Sequence, residues 1–233
     1  MKIAEFRELI ANLPASRQAF RSRRTTWEAD FQNLDFQNRE VPIEARNAFN
    51  EIFGDNEDVF ISRDDLRLIA QEGNLAKLVI ASIFWGYPRG MFGHHFSNIL
   101  QRLNFIVDHL PAVSTQDWNI HWNAVADIEG LGLSTYSKIL YFYSAKVGAN
   151  NGNGEKFNAL ILDSRIIDVV RNRVFDELNA CNQLQGLSYY NAPHHYVSYL
   201  SCVDKLSKKY EVPAENIELF LFQYGKNLKP MAG

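Results

Sequence analysis

Two glycines in the middle of the chain form a segment that could bind an anion. Gly130-Leu131-Gly132 lies between two helical patterns, and a tight turn that leads into a helix presents free backbone N–H groups to a phosphate. Ser134 follows the turn and is placed to cap the next helix, predicted over residues 135–147. A plain helix–helix turn explains the same residues equally well.

Lys138 lies one turn into that predicted helix and could act as a nucleophile. The positive end of the helix dipole disfavours a charged amine, and partial burial would disfavour it further. An uncharged amine can attack an electrophilic carbon. The alternative is an exposed surface lysine, which is the usual environment of this residue.

Asp163 follows the short apolar run of residues 160–162 and precedes a pattern that predicts a helix over residues 164–178. Its position is that of an N-cap. A capping carboxylate that stays ionised can also face a reacting centre, so the two roles are compatible. Arg165 could contact a phosphate or pair with a neighbouring acid.

Residues 84–90, Phe-Trp-Gly-Tyr-Pro-Arg-Gly, end an apolar helix predicted over residues 75–85. Trp85 or Tyr87 could stack on a planar base, and Arg89 could hold a phosphate or a guanine edge. A core aromatic turn is the alternative interpretation of this segment.

Metal chemistry is not predicted. The pairs His94-His95 and His194-His195 have no acidic or cysteine partner at ligand spacing, and adjacent residues on a helix point in different directions. Two cysteines, Cys181 and Cys202, are too few for a four-cysteine cluster and indicate reduced thiols.

Composition indicates a globular chain of 233 residues, with 46% hydrophobic and 22% charged residues. No segment approaches the roughly 18 apolar residues of a membrane span, and the N-terminus lacks the apolar core of a secretory signal. We therefore expect a cytoplasmic protein without a membrane contact.

The net charge is −3, which divides into −5 over residues 1–133 and +2 over residues 134–233. Residues 134–233 are therefore the better candidate for binding a polyanion.

Helical periodicity runs through the chain, and no persistent strand pattern is found. An all-α fold is predicted, with a loop at the glycine- and asparagine-rich residues 148–154. The arginines of residues 15–24 are interpreted as a solvated helix face or as a phosphate-contacting arm. The remaining predicted helices cover residues 2–12, 43–53, 62–70, 96–109, 114–125, 189–208 and 213–222. Ser62 or Asp64 is expected to cap the third of these helices.

The order of these features resembles the helix-hairpin-helix superfamily of DNA glycosylases, and most closely its 8-oxoguanine glycosylase-like branch. That branch includes bacterial members found among antiphage defence genes. The matching segments are 128–142 (IEGLGLSTYSKILYF) and 160–170 (LILDSRIIDVV). The resemblance implies one all-α unit over residues 1–233 with two helical lobes and a cleft between them, in which residues 1–74 form N-terminal helices and residues 75–233 form the core.

The resemblance also implies roles for the matching residues. Lys138 would attack C1′ of an extruded nucleotide to form a Schiff base, and Asp163 would deprotonate or orient that lysine. Such an enzyme excises an oxidised or modified guanine from double-stranded DNA, cleaves the strand as a lyase, and needs no cofactor or metal. DNA contacts are expected from Gly130, Gly132, Ser134 and Arg165, and base recognition from Trp85, Tyr87 and Arg89.

One position departs from the family pattern. Most members carry the lysine two residues after the second hairpin glycine, where this chain has Ser134, and Lys138 lies four residues further on. A second hypothesis therefore stays open. It is a catalytically silent helix-hairpin-helix module that binds DNA, a modified base, a nucleotide or a partner protein in phage defence. A monofunctional enzyme that uses Asp163 and water is a further alternative.

Overall fold

The computed structural model describes residues 1–37, 39–147 and 158–228, and helices dominate the described residues. The predicted all-α class is confirmed. The predicted loop at residues 148–154 lies outside the described residues. The α-helices are α1 (Arg7–Ala11), α2 (Arg24–Phe36), α3 (Ile43–Phe53), α4 (Arg63–Glu72), α5 (Leu75–Gly86), α6 (His95–Gln101), α7 (Leu103–His109), α8 (Trp118–Val125), α9 (Leu133–Val147), α10 (Ser164–Arg171), α11 (Asp176–Asn179), α12 (Ala192–Tyr210) and α13 (Ala214–Gln223).

A small antiparallel sheet replaces one of the expected helices. Strand β1 (Ala19–Arg23) pairs with β2 (Asp58–Ser62), with Arg21 opposite Phe60. The interpretation of residues 15–24 as a helix face was wrong. Residues of β1 alternate between exposed arginines and the buried Ser22, which is the two-residue period of a strand. Both Arg21 and Arg23 pair with Asp58 on β2.

Two long predicted helices are each broken into shorter ones. Residues 96–109 form α6 and α7, which meet at Arg102, where the backbone leaves the helical region. The pattern over residues 164–178 ends early because Arg173 adopts a left-handed conformation with φ of 52°. By contrast, the helix predicted to begin at Ser62 or Asp64 is confirmed as α4, and its cap is Ser62, which forms a reciprocal capping box with Asp65.

Contacts divide the chain into two compact units. Residues 16–158 form the first, here called the hairpin unit, and residues 1–15 with 159–233 form the second, here called the terminal unit. The expectation of a single glycosylase-like unit over the whole chain stays a prediction.

Helix α5 is the centre of the hairpin unit. Every residue from Leu78 to Trp85 is buried, as expected for a helix that is apolar on all sides. Helices α3, α4 and α9 pack around it. The Trp27 ring stacks on Phe84 at a centroid distance of 4.5 Å, so α2 is fixed to the same core.

The terminal unit joins the N-terminal residues to the last helices. Phe6 packs between Phe175 and Phe220, and the side chain of Asn216 on α13 donates to the carbonyl of Ile10 at 2.8 Å. Glu177 accepts from the backbone N–H of Ile3 at 2.9 Å. Residues far apart in sequence therefore share one core.

We predict that Asn216→Ala lowers the free energy of unfolding by roughly 1–3 kcal/mol, because a buried carbonyl loses a hydrogen-bond donor. Chemical denaturation followed by circular dichroism measures this value. The matched control is Asn123→Ala, since Asn123 is exposed on α8 and its removal should change stability by less than about 0.5 kcal/mol. Equal stability of the two variants would contradict the prediction.

Candidate functional site

The glycine turn lies between α8 and α9, at residues 126–132. Gly130 has φ of +89°, and a Cβ atom there would lie 2.6 Å from Cβ of His95 and 2.8 Å from its carbonyl oxygen. Glycine is therefore required at position 130 both by the backbone angle and by the close approach of α6. Nothing lies within 4 Å of a Cβ atom built at Gly132, so there is space for a side chain at this second glycine.

The start of α9 differs from the sequence prediction by two residues. Its first residue is Leu133, and the carbonyl of Gly132 accepts from the N–H groups of Thr135 and Tyr136, both at 2.9 Å. Ser134 therefore lies inside the first turn and is not the cap. The N–H groups of residues 132–134 donate to no acceptor among the described residues, which is the arrangement that suits an anion.

A buried pair of side chains joins the two helices of the hairpin. Nε2 of His121 on α8 and the hydroxyl of Tyr136 on α9 share a hydrogen bond, and the Trp118 ring stacks on Tyr136. Burial, with a smaller effect of nearby His109, lowers the pKa of His121 to about 4. No spacing in the sequence indicates this pair, because the two residues lie on different helices.

Lys138 is buried, with 7% of its surface exposed. Its ammonium nitrogen donates to the carbonyl of Ser134 at 2.8 Å and to the Ser134 hydroxyl at 2.9 Å. Side chains on a helix lean toward its N-terminus. The amine therefore lies one turn back from its own Cα, beside residue 134.

Tyr87 lies against this lysine, with the centre of its ring 5.2 Å from Nζ of Lys138. Its hydroxyl shares a hydrogen bond of 2.7 Å with the hydroxyl of Thr135. That threonine in turn donates to the carbonyl of Gly130 at 3.0 Å. The hairpin and the lysine are thus connected through Tyr87.

The other two candidates for base recognition differ in their surroundings. Trp85 is 3% exposed, its indole N–H donates to the carbonyl of Gln18, and its ring packs on Phe20 and Phe142. This burial favours the core aromatic turn as the interpretation of Trp85. Arg89 is exposed.

Asp163 caps α10, as the sequence predicted. Its Oδ1 atom accepts from the N–H groups of Arg165 at 2.9 Å and Ile166 at 3.2 Å. Oδ2 accepts no hydrogen bond from the described part of the chain, although the residue is only 7% exposed. One carboxylate oxygen therefore holds the start of α10, and the other makes no hydrogen bond within the described residues.

The segment that leads to Asp163 is fixed by two tyrosines of α12. The hydroxyl of Tyr196 donates to the carbonyl of Leu160 at 2.8 Å, and that of Tyr199 to the carbonyl of Ile161 at 3.1 Å. Burial raises the pKa of Tyr199 well above its ordinary value, and the nearby charges of Glu218 and Asp163 raise it further. This hydroxyl therefore stays protonated and keeps donating.

Arg165 is exposed at the start of α10, and its guanidinium lies 4.9 Å from the centre of the Phe222 ring.

Within residues 1–37, 39–147 and 158–228, no three His, Cys, Asp or Glu side chains are grouped to hold a metal ion. The same residues contain no helix with the length and apolar character to cross a membrane.

Comparison with known proteins identifies the family. The model of the family described as "Putative 8-oxoguanine DNA glycosylase OGG-like protein" matches residues 14–222. Because the match covers most of the chain, the protein belongs to this family, and the resemblance stated from its motifs is confirmed. Membership supports a DNA glycosylase-like function. No curated protein and no solved structure matches the chain significantly.

We predict that the protein loses stability as the pH falls from about 6.5 to about 4, in part through His121. The pKa of this histidine is about 4 in the folded state and near 6.5 in an unfolded chain. The unfolded state therefore binds more protons across this interval, so lower pH favours unfolding.

Urea denaturation of His121→Gln at several pH values checks this prediction, because glutamine can still bond Tyr136 but does not titrate. The variant should show a smaller decrease in stability between pH 6.5 and pH 4 than the wild type. His194→Gln is the control, since His194 is exposed. Identical pH dependence in His121→Gln and the wild type would contradict the assignment.

Proposed function

We propose that this protein is a DNA glycosylase with AP lyase activity that excises an oxidised or modified guanine similar to 8-oxoguanine. Lys138 is the proposed nucleophile and Asp163 its acid–base partner. The observation that supports this most directly is the position of the Lys138 amine, 2.9 Å from the hydroxyl of Ser134.

The position of the Lys138 amine compensates for the displacement of this lysine from the place that it has in most members of the family. The family pattern implies a lysine at position 134, whereas this chain carries it at position 138. One helical turn rises about 5.4 Å, and the four-carbon stem of lysine reaches back over that distance. The amine therefore lies beside the residue from which the family's lysine side chain would extend.

The proposed reaction starts when Asp163 accepts a proton from the Lys138 ammonium. The free amine attacks C1′ of the extruded nucleotide, the bond from C1′ to the base breaks, and the base leaves with a proton from the attacking nitrogen. The bond from C1′ to O4′ then breaks as O4′ takes the proton held by Asp163, which leaves an iminium ion between C1′ and Nζ. Asp163, ionised again, accepts a proton from C2′, and the bond from C3′ to the oxygen of the 3′ phosphate breaks, which is the lyase step.

Several groups support the binding of double-stranded DNA. The N–H groups of residues 132–134, which have no acceptor in the described part of the chain, are proposed to hold a backbone phosphate. Arg165 and Arg89 are exposed and are proposed to contact further phosphates or the base. These contacts should make binding weaker at high salt.

We predict that borohydride traps a covalent adduct between the wild-type protein and an 8-oxoguanine duplex, and that Lys138→Ala forms none. Borohydride reduces the iminium to a stable secondary amine, so the adduct reports the nucleophile directly. Gel electrophoresis of labelled DNA measures it. Lys208→Ala is the control, because this exposed lysine lies outside the proposed site; an adduct that persists in Lys138→Ala would exclude Lys138.

Asp163→Asn is expected to lower the single-turnover rate of base excision by roughly 100-fold or more, with DNA affinity within about twofold of the wild type. Asparagine caps helices about as well as aspartate, so α10 should still form. Thermal unfolding verifies this, and Asp204→Asn on an exposed surface is the control. Unchanged excision by Asp163→Asn would remove the aspartate from the mechanism.

A catalytically silent module is the second candidate function. It is favoured by the two hydrogen bonds that the Lys138 amine makes to Ser134, since a lysine with these bonds can have a purely structural role. Such a module would bind a lesion-bearing duplex, a nucleotide or a defence partner without excision and without an adduct. The borohydride experiment separates the two functions.

A further inference from the structure

We infer that Gly86 and Tyr87, at the end of α5, are positioning residues that hold the Lys138 amine beside Ser134. This inference rests on the proposed function, because it assigns these residues a role in placing the proposed nucleophile. It does not make either of them a catalytic residue.

Gly86 leaves room for the stem of Lys138. A Cβ atom at position 86 would lie 2.6 Å from Cδ and 3.1 Å from Cε of that lysine. The φ angle of Gly86 is not positive, unlike those of Gly90 and Gly130, so other residues could adopt this backbone. The absence of a side chain at position 86 is therefore explained by the lysine that crosses it.

An alanine at position 86 should displace the lysine and leave the fold intact. The atoms it would meet are at the flexible end of a side chain, which can move at low cost. Contacts between carbon atoms are favourable only at about 3.5–4.0 Å, so Cδ must shift by about 1 Å. A displacement of that size at a reacting group can lower the rate about 100-fold.

Tyr87 contacts the ammonium end of Lys138, whereas Gly86 contacts its stem. Its ring lies 5.2 Å from Nζ, a distance at which an aromatic ring attracts an ammonium group. The ring is itself held because its hydroxyl bonds Thr135, which donates to the carbonyl of Gly130. The hairpin loop and the amine are therefore positioned by one connected set of contacts.

The test compares Gly86→Ala, Tyr87→Leu and Tyr87→Phe with the wild type. Adduct formation with a duplex that contains an abasic site is measured in single turnover with excess enzyme and borohydride. This substrate has no base, so any role of Tyr87 in base recognition does not affect the rate. Affinity for a duplex with a tetrahydrofuran abasic analogue and the thermal unfolding midpoint are measured in parallel.

We expect Gly86→Ala and Tyr87→Leu to form the adduct at least tenfold more slowly, with DNA affinity and unfolding midpoint close to those of the wild type. Tyr87→Phe keeps the ring and loses only the hydroxyl, so it should react several times faster than Tyr87→Leu. Should Tyr87→Leu fail to fold, Gly86→Ala decides the outcome.

A second measurement does not depend on activity. Acetylation of lysines in the free protein, followed by mass spectrometry of peptides, reports the accessibility of each amine. Lys138 should be labelled several times faster in Gly86→Ala and Tyr87→Leu than in the wild type, whereas the labelling of Lys208 should not change.

The outcomes separate this inference from the proposed function. A wild-type protein that forms no adduct through Lys138 overturns both. A wild-type adduct, together with wild-type rates and wild-type Lys138 labelling in Gly86→Ala and Tyr87→Leu, overturns the positioning role alone. Slower trapping and faster labelling in those two variants support it.

Discussion

The contact between the Lys138 amine and Ser134 is the interaction on which the site depends. A buried ammonium group is stable only when oxygen atoms surround it, and here the carbonyl and hydroxyl of Ser134 provide them. Because both oxygens belong to the preceding turn of the same helix, the amine is fixed relative to the start of α9. The hairpin and the proposed nucleophile therefore belong to one element.

Neighbouring residues hold the glycine turn, helix α9 and the segment before Asp163 in place through different contacts. Gly130 allows the turn to pack on His95, and the hydrogen bond between His121 and Tyr136 ties α8 to α9. In the terminal unit, the tyrosine hydroxyls of α12 fix the segment before Asp163. Each proposed reacting group is thus supported by neighbours whose own hydrogen bonds are satisfied, which limits its motion.

Local signals in the sequence predicted the parts of the structure that depend on local physics. The cap at Asp163 was predicted, and Ser62 was one of two candidates for the cap of α4, because a capping side chain bonds backbone groups only two or three residues away. The strands at residues 19–23 and 58–62 were missed, because each is stabilised by a partner strand distant in sequence. The burial of Trp85 and the contact of Gly86 with Lys138 likewise depend on tertiary packing, which periodicity does not reveal.

The division of the chain has a consequence for its synthesis. All residues of the hairpin unit are contiguous, whereas the terminal unit combines residues 1–15 with residues 159–233. During translation, Phe6 therefore leaves the ribosome long before Phe175 and Phe220, the aromatic partners that complete its core. Residues 1–15 can therefore complete their core only after residues 159–233 have been synthesised, whereas the contiguous hairpin unit can fold before then.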